Sequence, residues 1–517
     1  MAKTNLKAVG RDIALGLSLA NLCFLRSWSA LVFCGTKQRF LMQDRPSVAQ
    51  IAALCAAAGV VSVAAAVAFG AIRCASNRLA RAAGGAAVFS MMLIAANAVR
   101  SLTLHAVPGM KQSLISIAGE FQWLIVHFCL AAAFLIGSLL YPGRVVRIAR
   151  LVLALLLPLV PLTIGRAVWA MAGTGRTSRP TAVQAAEAAP RSSPPRAIWI
   201  LFDEWDYRLT FEKRSAGLQL PELDRFRSEA LEVVGAVSPA MSTIVSVPAL
   251  LVGRTISNAR PTAPDEMLLE VDPGHSTLLS RTKTVFRAAR MLGARTAAAG
   301  WYLPYCRLFA GDLDACEWCE ISTEHNSIGT RFEDLFRNQL LIPLETGGMS
   351  PVAERATALH HRRQYSTVLT AGRRFVADRS LDLVYLHFPV PHAPFIWDRQ
   401  NGRFRTKGKE AALYVDNLVL VDRALGELRR SMEQNGVWEE TTVLLSSDHA
   451  YRRSPELDGV AERRVPFLLK LAGRSSRMLL RSEFNTSRSA GLLLAILRGE
   501  LVSAEDFANW LSSGKGE

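Results

Sequence analysis

The sequence predicts two parts: an α-helical membrane domain of five helices, then an α/β domain with a mostly parallel central sheet flanked by helices. Apolar residues concentrate in the first third of the 517-residue chain, and a segment rich in Pro, Ser, Ala and Arg follows them at 173–196. Beyond that segment, short apolar strands alternate with amphipathic helices, which is typical of a parallel sheet. We therefore expect a membrane domain at 1–172, a linker at 173–196 and an exported domain at 197–517.

The first part contains apolar segments of the length, about 20 residues, that a bilayer-spanning helix needs. Basic residues are denser in the loops on one side of these segments, the side of the N-terminus, and such loops stay in the cytoplasm. We expect a multi-pass protein of a bacterial inner (cytoplasmic) membrane, with the second domain in the periplasm or outside the cell. Arg26 and Glu120 lie inside the segments and either pair or bind lipid. The five segments are 12–34, 47–72, 83–104, 113–141 and 151–171.

The chain is strongly basic, with a formal net charge of +16. Much of the excess lies in loops beside the apolar segments, and no basic motif interleaved with aromatic residues is present. The charge therefore favours contact with anionic lipid. Nucleic acid is not expected as a partner.

Three of the eight cysteines, Cys306, Cys316 and Cys319, lie in the predicted exported domain. An oxidising compartment permits one disulfide among them and leaves one thiol. We expect a structural bridge from Cys306 and leave its partner open.

The second part alternates strands and helices, so its functional site is expected at the carboxyl ends of the strands. No internal repeat interrupts this order. Strands are predicted at 197–204, 295–301, 381–390, 441–450 and 465–472, and helices at 221–234, 276–292, 353–378 and 410–436.

Polar residues cluster where these strands end. A hydroxyl-rich segment, "SPAMSTIVSVPALLVGR", begins a further predicted helix. Hydroxyls there cap the helix or act as nucleophiles, since a helix N-terminus favours negative charge. Carboxylates, imidazoles and a hydroxyl from distant segments together are suited to a metal. The residues concerned are Asp203, Glu204, His387, His392, Asp448 and His449, with Ser242, Thr243 and Ser246 in the hydroxyl-rich segment.

From about 197 to 475 these motifs resemble the sulfatase-like branch of the alkaline phosphatase superfamily. They look most like the membrane-anchored phosphoethanolamine transferases, in which five transmembrane helices precede an exported catalytic domain. "ILFDE" resembles the first metal motif, "TIVSVPALLVGR" the nucleophile segment and "SSDHA" the last metal motif. "PHAPF" resembles the segment whose histidine, here His392, contacts the substrate or a second metal. The resemblance implies Thr243 and His392 as catalytic residues. It implies Asp203, Glu204, Thr243, Asp448 and His449 as ligands of a divalent metal, zinc first with manganese or calcium as alternatives. We add His387, Arg463 and Arg464 as substrate-binding candidates.

The chain departs from the sulfatase pattern at the nucleophile. Sulfatases oxidise a cysteine at the position of Thr243 to formylglycine, and Val245 and Val247 replace the Pro and Arg of that signature. A threonine alkoxide is therefore the expected nucleophile, with Ser246 the lesser candidate and Ser242 a cap. The second metal site is also altered, because arginines rather than histidines follow His449, and a guanidinium can neutralise a phosphoryl oxygen. These are Arg452, Arg453, Arg463 and Arg464.

The resemblance implies a phosphotransferase that moves a phosphoethanolamine-type headgroup. Its donor would be a membrane phospholipid and its acceptor an envelope glycan or a lipid A-like molecule. One alternative is a phosphodiesterase or atypical sulfatase of the same superfamily. The other is a non-enzymatic envelope-assembly protein with a degenerate domain.

Overall fold

A computed structural model of the chain divides it into two compact units, a helical unit and an α/β unit. The structure describes residues 6–33, 40–41, 47–74, 76–106, 142–172, 195–272, 274–321, 331–344, 351–408, 410–473 and 477–513. The helical unit consists of Met1–Cys34, Asp44–Thr177 and Ser322–Ala353. The α/β unit consists of Gly35–Gln43, Ser178–Ile321 and Glu354–Glu517.

The helical unit contains two helices that are long and apolar enough to cross a membrane, Val48–Cys74 and Ala83–Arg100. Two further spans are possible if each of two bent helix pairs counts as one, with bends of 63° and 44°. The predicted segment 113–141 and Glu120 lie outside the described residues, so the described part supports two to four candidate spans. Its first helices are α1 (Leu6–Cys23), α2 (Leu25–Leu31), α3 (Val48–Cys74), α4 (Arg78–Ala106), α5 (Pro142–Leu156) and α6 (Leu159–Ala172).

Polar side chains join helices inside this unit. Asp12 of α1 is 3% exposed, and its Oδ2 accepts a hydrogen bond of 2.9 Å from Arg73 Nε of α3. Ser18 of α1 donates to the carbonyl oxygen of Leu153 in α5 over 2.8 Å. Pairing compensates these polar groups where little water reaches them.

The α/β unit is built on an eight-stranded sheet in the order β13-β2-β12-β11-β1-β8-β6-β7. All neighbouring pairs are parallel except those of β12, which runs antiparallel to β11 and β2. The strands are β1 (Arg196–Asp203), β2 (Leu231–Val237), β3 (Asn258–Ala263), β4 (Glu266–Asp272), β5 (His275–Leu278), β6 (Thr296–Trp301), β7 (Ala315–Cys319), β8 (Leu383–Pro391), β9 (Trp397–Asp398), β10 (Arg403–Phe404), β11 (Thr441–Ser447), β12 (Leu468–Lys470) and β13 (Met478–Asn485).

Helices cover both faces of this sheet because successive residues of a buried strand point to opposite sides. Trp199 and Leu201 of β1 pack with α8, α9 and α15, while Ile200 and Phe202 pack with α7, α12 and α13. The helices are α7 (Pro221–Glu229), α8 (Thr243–Val252), α9 (Val285–Met291), α10 (Tyr305–Leu308), α11 (Phe332–Leu341), α12 (Pro351–Ala377), α13 (Tyr414–Gln434), α14 (Pro455–Asp458), α15 (Ser489–Leu497) and α16 (Ala504–Ser512).

One helix that comes after the first strands of the sheet in sequence does not belong to the α/β unit. Helix α11 belongs to the helical unit, where it packs against α3. The sequence prediction treated 197–517 as one continuous domain, so this return of the chain was not predicted. No helix or strand was predicted at the position of α11, whose first turn carries Glu333 and Asp334.

Two predicted helices are shorter than expected. The helix predicted at 221–234 ends at Glu229, where the extended Ala230 leads into β2. The valines of "LEVVGAV" favour the sheet. The helix predicted at 276–292 begins only at Val285, after the Thr284 side chain caps it by accepting from Arg287 N. The residues before it form β5 of an antiparallel sheet, β3-β4-β5, which was not predicted.

A disulfide joins Cys306 of α10 to Cys316 of β7, with a Cα–Cα distance of 5.6 Å. The predicted bridge from Cys306 is present, and the structure supplies the partner that the sequence left open. Cys319 keeps a free thiol. Burial raises the pKa of Cys319 to about 11, so this thiol is unreactive.

Removing this bridge should destabilise the α/β unit. Cys306→Ser is expected to lower the free energy of unfolding by about 2–3 kcal/mol, because the unfolded chain gains the freedom of the opened loop. Denaturant titration of the full-length protein measures the change. Cys319→Ser is the matched control and should change stability little. Equal losses in both variants would show that the bridge is not the stabilising element.

Candidate active site

Three adjacent strands, β11, β1 and β8, end at one edge of the sheet. In their parallel register Phe202 lies beside Ser447, and Asp203 lies beside Pro391. Residues that follow β1 and β11 therefore meet there, as the rule for strand ends predicts. The N-terminus of α8 supplies Thr243 to the same place.

Asp203, Asp448 and His449 form a buried group whose ligand atoms lie within 4.8 Å of one another. Each is 0% exposed. Thr243 Oγ1 donates to Asp203 Oδ2 over 3.3 Å and lies 3.3 Å from His449 Nε2. The structure thus brings together four residues that the sequence singled out from three distant segments.

The donor atoms of this group fit a divalent cation. Asp203 Oδ1 and Asp448 Oδ2 are buried without a hydrogen-bond partner, which is costly for a carboxylate. His449 Nδ1 must carry a proton, because it lies 2.9 Å from the carbonyl oxygen of Ala450, which only accepts. The lone pair of His449 Nε2 is therefore directed into the group. Two carboxylates and one imidazole suit zinc, and carboxylates also suit manganese or calcium.

The electrostatics of the group favour a bound positive charge. Burial raises the pKa of Asp448, and the neighbouring charge of Asp203 raises it further. Burial acts the same way on Asp203, but His392, His387 and His449 together hold the pKa of Asp203 below its usual value. For His449 burial lowers the pKa, yet Asp448 and Asp203 outweigh it and raise the pKa. The carboxylates that stabilise a protonated imidazole would also stabilise a metal ion.

Thr243 is the first residue of the ten-residue helix α8, where the helix dipole favours negative charge. Ser242 occupies the N-cap position but makes no side-chain capping hydrogen bond, contrary to the expectation for it. Ser246 Oγ donates over 2.5 Å to the carbonyl oxygen of Asp448. The hydroxyl of Ser246 thus tethers α8 to the metal motif, which favours Thr243 as the nucleophile.

Glu204 lies beside this group without joining it. Its carboxylate Oε1 accepts a hydrogen bond of 2.6 Å from Arg452 Nε, and its backbone N–H donates to Asp448 Oδ1 over 3.1 Å. We therefore revise the expectation that Glu204 is a metal ligand. Its backbone orients Asp448, while its side chain holds an arginine.

The two arginines expected to bind substrate have other positions. Arg464 pairs with Glu212 and Glu462 and lies over the Tyr207 ring. Arg463 is exposed, and its backbone N–H donates to Glu462. These contacts give no support to a substrate-binding role for either residue. Arg452 is the arginine that reaches the site.

The two predicted histidines differ in burial. His387 is 0% exposed; Tyr305 OH lies 2.7 Å from its Nδ1, and Asp203 Oδ2 lies 3.5 Å from its Nε2. Nε2 of His387 faces Asp203 Oδ2 at this distance but makes no hydrogen bond with it. His392 is half-buried, with Nδ1 2.5 Å from the Ala393 carbonyl oxygen and Nε2 3.4 Å from Arg452 Nη2. A carbonyl only accepts and a guanidinium only donates, so His392 carries its proton on Nδ1.

Several supporting residues escaped the sequence analysis. Ser447 Oγ bonds the Phe202 carbonyl oxygen and the Trp205 N–H, joining the ends of β11 and β1. Asn417 of α13 accepts from the N–H groups of Ile396 and Trp397. The serine doublet before "DHA" and the "YVDN" helix were visible in the sequence. Nothing local showed which backbone groups they would bond.

An α/β fold with carboxylates, an imidazole and a threonine hydroxyl at its strand ends defines a class of metal-dependent enzymes that transfer or hydrolyse ester groups. The sulfatase profile matches residues 195–488. The chain belongs to the sulfatase family, in the sulfatase-like branch of the alkaline phosphatase superfamily, and is a sulfatase-like enzyme. Members of this superfamily depend on metals.

The solved structures that match this chain share little sequence with it. Ps i-CgsB in complex with k-i-k-neocarrahexaose is 16% identical, covers 63% of this chain and 77% of its own, and has a TM-score of 0.43. A Vibrio parahaemolyticus protein of the alkaline phosphatase superfamily is 12% identical, with coverages of 60% and 67% and a TM-score of 0.39. The phosphonate monoester hydrolase of Agrobacterium radiobacter is 14% identical, with coverages of 59% and 77% and a TM-score of 0.38. No curated protein sequence matches the chain significantly.

Proposed function

We propose that this protein is a membrane-anchored, metal-dependent phosphotransferase with Thr243 as its nucleophile. It moves a phosphoethanolamine-type headgroup from a membrane phospholipid to an envelope glycan or a lipid A-like acceptor. The observation that carries the proposal is the position of Thr243 Oγ1, 3.3 Å from both Asp203 Oδ2 and His449 Nε2 at the start of α8.

In the first half-reaction Thr243 Oγ1 attacks the phosphorus of the donor diester. The bond from Oγ1 to phosphorus forms and the bond to the diacylglycerol oxygen breaks, so the headgroup phosphate is carried on Thr243. Asp203 Oδ2 accepts the hydrogen bond of Thr243 and orients the oxygen. The Thr243 hydroxyl proton passes to solvent, and the diacylglycerol oxygen leaves with a proton taken from solvent.

In the second half-reaction an acceptor hydroxyl attacks the phosphorus, the bond to Thr243 breaks, and Thr243 Oγ1 regains a proton from solvent. His392 is suited to take the hydroxyl's proton, because it is half-buried and its Nε2 lone pair is available once Arg452 turns to the substrate. His387 is too deeply buried for this step.

Asp203, Asp448 and His449 would hold the metal, with Thr243 adjacent. A divalent cation bound there supplies positive charge that favours the ionised form of a nearby hydroxyl. Zinc is the first choice, and manganese or calcium are the alternatives.

Transfer is proposed over hydrolysis because of the helical unit. Its candidate spans would keep the enzyme at the bilayer, where the phospholipid donor is. A hydrolase of soluble esters would need no such unit. Hydrolysis by the same site remains the second candidate, because the family match is to sulfatases.

Product analysis separates these two functions. Full-length protein in detergent is incubated with fluorescent phosphatidylethanolamine, zinc, and a lipid A or glycan acceptor. The proposal predicts diacylglycerol release together with a phosphoethanolamine-modified acceptor, and neither product with Thr243→Ala. Free phosphoethanolamine formed equally with and without acceptor would identify a hydrolase.

We also propose that the N-terminus is cytoplasmic and that residues 197–517 are outside, on the evidence of the basic loops. An alkaline phosphatase reporter fused after residue 180 is expected to be active. A fluorescent reporter that folds only in the cytoplasm is the control and should be dark at the same position. The reverse pattern would contradict the topology.

A further inference from the structure

Backbone strain is concentrated beside the candidate active site. Among the described residues, two that are not glycine have φ in the left-handed region, Glu204 at 61° and Tyr302 at 70°. Such a conformation costs roughly 1–3 kcal/mol and persists where the surroundings require it. Glu204 follows β1, and Tyr302 follows β6. Burial and, to a lesser extent, the charge of Asp203 raise the pKa of Tyr302 to about 12, and Arg452 partly offsets this rise.

Arg452 is held at the site by two contacts. Its Nε donates to Glu204 Oε1 over 2.6 Å, and its Nη2 donates to His392 Nε2 over 3.4 Å. The Glu204 side chain is 5% exposed, while that of Arg452 is 46% exposed. A guanidinium has five N–H donors, of which these contacts use two. Glu204 thus fixes one edge of the Arg452 guanidinium. The rest of that guanidinium is open to solvent and lies beside His392.

We propose that Arg452 binds a non-bridging oxygen of the group that Thr243 attacks, and that Glu204 restricts this group to monoanionic esters. The inference rests on the proposed function and names its substrate class: phosphodiesters or sulfate esters, rather than dianionic phosphate monoesters.

The charge of the pair gives the reason. Arg452 offers hydrogen-bond donors to an anionic oxygen, but Glu204 cancels its positive charge at a distance of 2.6 Å. The pair therefore offers hydrogen-bond donors to the substrate but carries no net charge. Asp203 and Asp448 already add negative charge to the site. The two carboxylates would balance a divalent cation held there, so a second negative charge on the substrate would meet no unmatched positive charge from these groups.

Arg453 provides a matched control. It adjoins Arg452 in sequence, but its guanidinium pairs with Glu456 three residues later. Both of these side chains are largely exposed, at 42% and 52%. Arg453→Gln removes the same charge from the same loop while leaving the contacts of Arg452 with Glu204 and His392 in place.

Ligand binding to the full-length Thr243→Ala protein tests the inference without turnover. Diphenyl phosphate serves as the monoanion and phenyl phosphate, at pH 8, as the dianion. Affinities are measured by calorimetry in detergent with zinc present.

Adding Arg452→Gln should weaken diphenyl phosphate binding by about tenfold or more, because a charge-assisted hydrogen bond is lost. Adding Arg453→Gln should leave it within about twofold. Adding Glu204→Gln, which keeps the acceptor oxygen, should shift preference toward phenyl phosphate by about tenfold.

Unchanged affinities in Arg452→Gln, or an unchanged preference in Glu204→Gln, would overturn the inference. If Arg452→Gln does not fold, as judged by its melting temperature, Arg452→Lys carries the test. It should weaken diphenyl phosphate binding by at least about threefold, because lysine lacks the fork that contacts two partners; no loss would again overturn the inference. Comparing the turnover of the wild type with that of Thr243→Ala tests the proposed function separately.

Discussion

Thr243→Ala is expected to abolish turnover, lowering kcat by at least about 10³-fold, because the attacking oxygen is removed. The fold and the bound metal should persist. Thr243 is 5% exposed, and loss of its hydroxyl and methyl should cost about 1 kcal/mol of stability. Activity with a phosphatidylethanolamine donor, the melting temperature and the metal content of the purified protein measure these three properties.

Two further substitutions, one at this position and one beside it, serve as controls. Thr243→Ser should keep part of the activity, because serine supplies the same oxygen with more rotational freedom. Ser242→Ala should keep most of it, since the Ser242 side chain makes no capping bond. A fully active Thr243→Ala protein would contradict the account and move the nucleophile to Ser246.

Asp448→Asn is expected to remove metal and activity together. The Asp448 carboxylate lies in the buried group with Asp203 and His449, and its Oδ2 has no other partner. Added zinc at about 100 times its Kd should stabilise the wild type by about 2.7 kcal/mol, whereas the variant should gain little. Thermal unfolding with and without zinc measures this difference, and elemental analysis measures occupancy.

Asp265→Asn is the control for this substitution. Asp265 is an exposed residue in the turn between β3 and β4, so losing its charge should affect neither zinc binding nor activity. Full zinc occupancy in Asp448→Asn would show that the metal is held elsewhere.

The core of the site was predictable because it follows from topology. Parallel strands carry their ends to one edge, so Asp203 and Asp448 could be placed together before any coordinates were known. The hydroxyls of the α8 segment were visible as well. The family resemblance already favoured Thr243 over Ser246, and the structure adds a reason, because Ser246 is bonded to the Asp448 carbonyl oxygen.

Side-chain partners were less predictable than positions. Glu204 adjoins Asp203 in sequence, yet its left-handed φ of 61° accompanies a carboxylate that pairs with Arg452 instead of joining the metal group. Arg464 appeared suited to substrate until its partners, Glu212 and Glu462, were located. The acid that an arginine pairs with depends on tertiary contacts that a linear pattern does not encode.

In the fold, too, some elements were predictable from local sequence and others were not. Long buried strands such as β1 and β8, and the amphipathic α13, matched their predicted positions within a few residues. Errors occurred where tertiary pairing overrides local preference: β2 was read as the end of a helix, and the exposed strands β3 to β5 were missed. The return of α11 to the helical unit also depends on long-range packing.

Mass spectrometry of enzyme trapped during turnover tests the central claim most directly. Full-length protein is mixed with phosphatidylethanolamine without acceptor, quenched in acid and digested. The account predicts a phosphoethanolamine adduct on the peptide that contains Thr243, localised to that residue and absent from Thr243→Ala. An adduct on another residue, or none in enzyme that releases diacylglycerol in a burst, would contradict it.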